Sequence, residues 1–115
     1  MSSRHDDRVF ELAADLFSLL STPTRLRIVC ALMAGEKNVT ELIERVPVSQ
    51  PNMSQHLRSL YRGGVLGRRR TGSQIFYRVA HPQVLGLCQA LRQGAEHAPS
   101  AHPAHRQPTP LVRDI

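Results

Sequence analysis

Three groups of side chains have the types and spacing to do chemistry. The first is a run of hydrogen-bonding residues, Gln50, Asn52, Ser54, Gln55, His56 and Arg58, within SQPNMSQHLRSLYR. Such donors and acceptors are the types that read base edges in a major groove. Arg62 and the run Arg68, Arg69, Arg70 follow them, and guanidinium groups suit phosphate. The second group is His81, His97, His102 and His105, with Glu96 adjoining His97. Imidazole and carboxylate suit zinc, nickel or cobalt. The third is Cys30 and Cys88, both set on apolar stripes, where cysteine commonly serves as a small hydrophobe.

The elements that must position these groups follow from local rules. Ser49 can cap a helix over the first group by accepting an orphan backbone N–H. Pro51 then falls in the first turn, where a missing N–H costs little. Met53, Leu57 and Leu60 recur at i, i+4, i+7 as the buried stripe, leaving the polar residues on the other side. Gly63-Gly64 stops this helix. The arginine run and the apolar-rich QIFYRV then flank Thr71-Gly72-Ser73 as a two-stranded wing over about 66–79. Upstream, Val9, Leu12, Ala13, Leu16 and Leu20 predict a first helix over 8–20, with Phe10 and Phe17 widening its stripe. That is more apolar surface than one small core needs. Thr22 or Pro23 opens a second helix over 24–34, closed by Gly35. Asn38 or Thr40 caps a third, ending in ELIERV. Residues 82–97 predict a fifth, with a narrow seam of Val84, Leu87, Cys88 and Leu91 that suits packing on another helix. The prolines at 99, 103, 108 and 110 predict a mobile tail over 98–115. Residues 1–7 read as a polar arm.

The 115 residues are enough for one small domain, whose single core gains from burying further surface in a dimer. Lys and Arg outnumber Asp and Glu by 15 to 9, a formal charge of +6 that suits a polyanion. The sequence contains no apolar run of about 18 residues and a polar N-terminus, so no membrane partner and a cytoplasmic location are expected. Two cysteines in that reducing compartment are not read as a structural staple.

VTEL, SQPNMSQHLRSL, GVLGRRR and the G-x-x-IFYRV ending together resemble the ArsR/SmtB family of winged helix-turn-helix repressors, over about residues 8–97. The resemblance implies a mainly α fold with a small β-hairpin: four helices, the wing, then a fifth helix. It implies a homodimer made by the first and last helices, which sets two reading helices on an imperfect palindromic operator in double-stranded DNA. Ser54 and Gln55 would lie nearest the bases, and the arginines would meet phosphate or a minor groove.

The resemblance also bears on an inducer. The A-E-H ending at 95–97 and a tail histidine, His105, are similar to the family's nickel and cobalt sensors. Gln83 and Gly94 stand where the family often has histidine, so a site needs the tail to complete it. His81 and His97 lie 16 residues apart, near opposite ends of one helix about 24 Å long, so one chain cannot bring them to one ion. Two antiparallel copies can. The alternative inducer is a persulfide. Cys30 is placed like the thiol of the family's persulfide sensors, which bridges to a cysteine on the last helix. Cys88 lies about two turns, or about 11–12 Å, earlier than that partner. That is large against the Cα separation of under about 7 Å in a disulfide. The third-helix C-x-C site is absent, with Asn38 and Thr40 in its place.

An enzyme is not expected. No nucleophile–base–acid set, phosphate-cradling glycine loop or close carboxylate pair is legible. Asp6, Asp7, Glu41 and Glu44 read as solvated charges. A metal-buffering protein would not need the wing. A constitutive repressor with no inducer is the main rival.

Overall fold

The computed structural model describes residues 2–96. Its order is α1 (Ser2–Leu19), α2 (Pro23–Leu32), α3 (Val39–Arg45), α4 (Gln50–Arg62), β1 (Leu66–Thr71), β2 (Gln74–Val79) and α5 (Pro82–Glu96). The expected tail, with His97, His102 and His105, lies outside the described residues. The first helix begins at Ser2 rather than at residue 8. Residues 2–7 are polar and carry no apolar period, so the sequence gives no sign of this turn. Propagating a nucleated helix adds one bond for each residue fixed.

The helix ends obey the chemistry of their caps. Thr22 Oγ1 accepts from the Arg25 N–H at 3.1 Å, with Pro23 just inside the helix. Asn38 and Glu41 form a capping box: each side chain accepts from the other's backbone N–H, both at 2.9 Å. Ser49 Oγ accepts from the Asn52 N–H at 3.2 Å. The α4 helix ends at Gly63, and Gly64 follows at φ 82°, a left-handed conformation that glycine adopts without a Cβ penalty.

The core lies between α2, α3, α4 and the inner face of the wing. Ile28, Val29, Leu42, Met53, Leu57, Leu60 and Val65 are all fully buried there. Complete burial of such side chains contributes about 1.5–3 kcal/mol each. From α5, Val84 and Cys88 join this core, while Leu85 and Leu91 stay exposed. The expected seam therefore divides between the chain's own core and an outward face.

The wing is antiparallel, with Leu66 opposite Val79 and Thr71 opposite Gln74. Its two-residue turn has Gly72 first at φ 63°, as a type II′ turn requires. A third segment pins it to the body. Lys37 and Tyr77 exchange backbone hydrogen bonds at 3.1 and 2.9 Å. Asn38 Nδ2 also donates to Gln74 Oε1 at 3.5 Å.

Candidate nucleic-acid interface

The α4 helix buries Met53, Leu57 and Leu60 and turns its polar side outward. Gln55, Arg58 and Arg62 follow at i, i+3 and i+7 along one exposed stripe. Gln50 and Asn52 are exposed in the first turn, and Ser54 and His56 flank the stripe half-buried. The side chains of Gln50, Gln55, Arg58 and Arg62 meet no hydrogen-bonding or ionic partner among the described residues. Their donors and acceptors are free for a ligand. His56 is not: its Nδ1 accepts a hydrogen bond from Arg25 Nε of α2 at 3.1 Å. Burial, then the charge of Arg25, lowers the basicity of this imidazole.

The wing arginines are more constrained than a basic run implies. Arg68 faces back toward α4, its guanidinium carbon 3.9 Å from the centre of the Tyr61 ring, in cation–π contact. Arg69 lies on the opposite face, 5.1 Å from the Phe76 ring centre, and bonds to Thr71 Oγ1. Its Nε donates to Glu36 Oε1 at 2.7 Å, and Nη2 completes an ion pair with the same oxygen. This hydrogen bond, with weaker help from the charges of Arg69 and Arg78, holds the Glu36 carboxyl below the usual carboxylate range. Arg70 is exposed and meets no partner among the described residues. A polar cleft of about 340 Å³ lies between the start of α3, Ser54 of α4 and the wing, lined by Asn38, Thr40, Ser54, Ser73 and Gln74 among others.

Three participants had not been expected: Arg25, Glu36 and Tyr61. One local sign pointed to Arg25. It is a cation in the first turn of α2, where the helix dipole disfavours positive charge and a partner is needed.

The groups considered for sensing lie away from this surface. His81 accepts the Val84 and Leu85 N–H groups on its carbonyl, at 3.0 and 3.3 Å. Its Nδ1 is buried without a hydrogen-bond partner. The ring lines an apolar groove of about 790 Å³ with Gln83 and Leu87 of α5 and Val9, Leu12 and Leu16 of α1. Among the described residues no three His, Cys, Asp or Glu side chains converge on one point. Cys30 and Cys88 are free thiols, Cys30 half-buried and Cys88 buried, and the two are near enough to influence each other. Cys88 follows Val84 at i+4 on the inward side of α5, so this turn faces α2. Burial, then the Cys30 thiol, pushes Cys88 up to about 12.

Comparison with known proteins agrees with this geometry. The family model described as "Bacterial regulatory protein, arsR family" matches residues 22–66. The chain is 41% identical over 78 residues to the biofilm growth-associated repressor of Xylella fastidiosa, covering 68% of each. It is 35% identical over 102 residues to the HTH-type transcriptional regulator KmtR of Mycobacterium tuberculosis, covering 89% of this chain and 78% of KmtR. Among solved structures, it resembles the homodimeric winged helix-turn-helix DNA-binding domain Mb0332 from Mycobacterium bovis. The TM-score is 0.70 at 26% identity, over 81% of this chain and 87% of the other. Polar outer face of α4, arginine-bearing wing and these likenesses agree: the chain belongs to the ArsR family and is a DNA-binding transcriptional repressor of the winged helix-turn-helix type.

Proposed function

We propose that two copies of this chain, paired through α1 and α5, lay their α4 helices in successive major grooves of an imperfect palindromic operator in the cytoplasm. The exposed and unpartnered stripe of Gln55, Arg58 and Arg62 carries this reading. Gln50, Asn52, Ser54 and His56 flank it, and Arg68, Arg69 and Arg70 meet the backbone. Phosphate contacts set affinity and register, and base contacts set sequence. The pairing is supported by the apolar groove and by Val9, Phe10, Leu12, Phe17, Leu85 and Leu91, all exposed in the single chain. No helix among the described residues is long and apolar enough to cross a membrane.

We infer further that a transition metal ion, nickel, cobalt or zinc, releases the operator. The buried and unpartnered Nδ1 of His81, a residue that lines the groove where a second α5 would lie, supports it. His81 of one copy would share the ion with Glu96, His97, His102 and His105 of the other. The ion would supply a bond that only one arrangement of the two copies can make. Inducer and operator then oppose each other through a coupling of a few kcal/mol, which is reciprocal.

The influence of the Cys30 thiol on Cys88 favours a second reading, induction by a persulfide. Cys30 is the more accessible of the two and would take the sulfane sulfur of a donor RSSH, releasing RSH. Cys88 would then attack the Cys30 persulfide, forming the disulfide and releasing H2S. Two thiols are oxidised, and the sulfane sulfur is reduced. Operator binding measured with and without nickel, zinc and a persulfide donor separates the readings. Under the metal reading His97→Ala/His105→Ala abolishes metal-induced release, and Cys30→Ser and Cys88→Ser leave it intact. Under the thiol reading the pattern reverses. If no variant alters release, sensing does not use these groups.

A further inference from the structure

Arg25 joins three helices. Its own helix, α2, disfavours a cation in the first turn. Its Nη1 donates to the Leu19 carbonyl at 3.1 Å, at the end of α1, and its Nε donates to His56 Nδ1 at 3.1 Å on α4. A guanidinium can only donate. His56 Nδ1 must therefore present a lone pair, and the single ring proton must sit on Nε2. Around His56, α2 brings one charged group, Arg25, and α1 brings the uncharged Leu19 carbonyl at the far side of that guanidinium.

We propose that Arg25 is the positioning residue of the reading helix: it fixes His56 as the neutral Nε2–H imidazole and ties α4 to the end of α1, so that operator affinity requires His56 to stay unprotonated. A second contact grips the same helix at its C-terminal end. Gly63 lies so close to Leu19 that an added Cβ would come within 2.2 Å of Leu19 Cδ1. The last residue of α1 thus holds α4 twice, by its carbonyl through Arg25 and by its side chain at Gly63. A proton on Nδ1 would remove the acceptor and set two cations in contact, so Arg25 would release α4. Burial and Arg25 both favour the neutral ring.

This proposal rests on α4 being the reader. The test uses a duplex enriched from a random pool by the wild-type chain at pH 8, with affinity followed down to pH 5.5. His56→Gln keeps an acceptor for Arg25 and does not titrate. Relative to its own value at pH 8, wild-type affinity falls further than that of His56→Gln. For each chain the ceiling on the difference is about tenfold at pH 5.5, set by the ordinary imidazole value of 6.5 and a factor of ten per unit, and it is about a hundredfold for a pair whose two copies of His56 must both stay neutral. Superimposable normalised profiles overturn the proposal. So does a His56-dependent rise on acidification, the mark of a charged imidazole on phosphate. In the free protein at pH 7.5, a long-range proton–nitrogen spectrum should show His56 as the Nε2–H tautomer; the Nδ1–H tautomer overturns it. Failure of α4 as reader would appear separately, as Gln55→Ala leaving sequence preference intact at pH 8, and would remove this proposal with it.

Discussion

In the proposed complex a DNA phosphate would compete with Glu36 for the Arg69 guanidinium. In the free chain Arg69 is paired with Glu36, whose carboxyl is held below its ordinary 4.5 chiefly by that hydrogen bond. A depressed folded value means that the pairing contributes above pH 4.5 and is lost only as pH falls through the lowered value. At neutral pH the pair is intact, so phosphate must displace a carboxylate to engage Arg69. Exposed pairs of this kind are weak. Glu36→Gln is therefore expected to raise affinity for duplex of any sequence by about twofold to fivefold, measured by filter binding on unrelated DNA at low salt. Arg69→Ala should weaken binding to all sequences and reduce the salt slope by about 1. Gln55→Ala should instead cost about 1–3 kcal/mol at one base pair, seen by binding to single-substitution duplexes. The basic run was legible as a phosphate surface. Its carboxylate partner was not, because Glu36 lies 33 residues away and nothing local links them.

Among the elements, the best-read features were those set by short-range chemistry. Ser49, Asn38 and Thr22 cap where their side chains can reach an orphan N–H, and the turn at Gly72 closes the wing. Asn38→Ala is expected to cost about 1 kcal/mol, or about 4–8 °C in Tm for a domain near this size, by calorimetry. Gly64→Ala should cost about 1–2 kcal/mol, because φ 82° is a conformation that a Cβ resists. What the sequence withheld lies between elements. The Arg25–His56 bond spans 31 residues. The meeting of Cys30 with Cys88 depends on how α5 settles over α2. Periodicity placed each residue on a face, and only packing decided which faces meet.

For the molecule as a whole, the apolar excess on α1 is the main clue. Phe10 is 71% exposed and Phe17 61% exposed in the single chain, unlike the fully buried residues of the core. Phe10→Asp should leave the chain folded and shift it toward monomer by sedimentation equilibrium. Operator affinity should fall with it. The excess was visible from the first helix of the sequence as more apolar surface than one small core can use.

That bare stripe on α1 also has a kinetic and genetic bearing. If only paired chains grip DNA, the pool of active repressor grows as the square of the chain count while pairing is incomplete. Halving synthesis would then cut that pool about fourfold, because pairing follows mass action. The steepness of the response to gene dosage would be set by two phenylalanines that never touch a base.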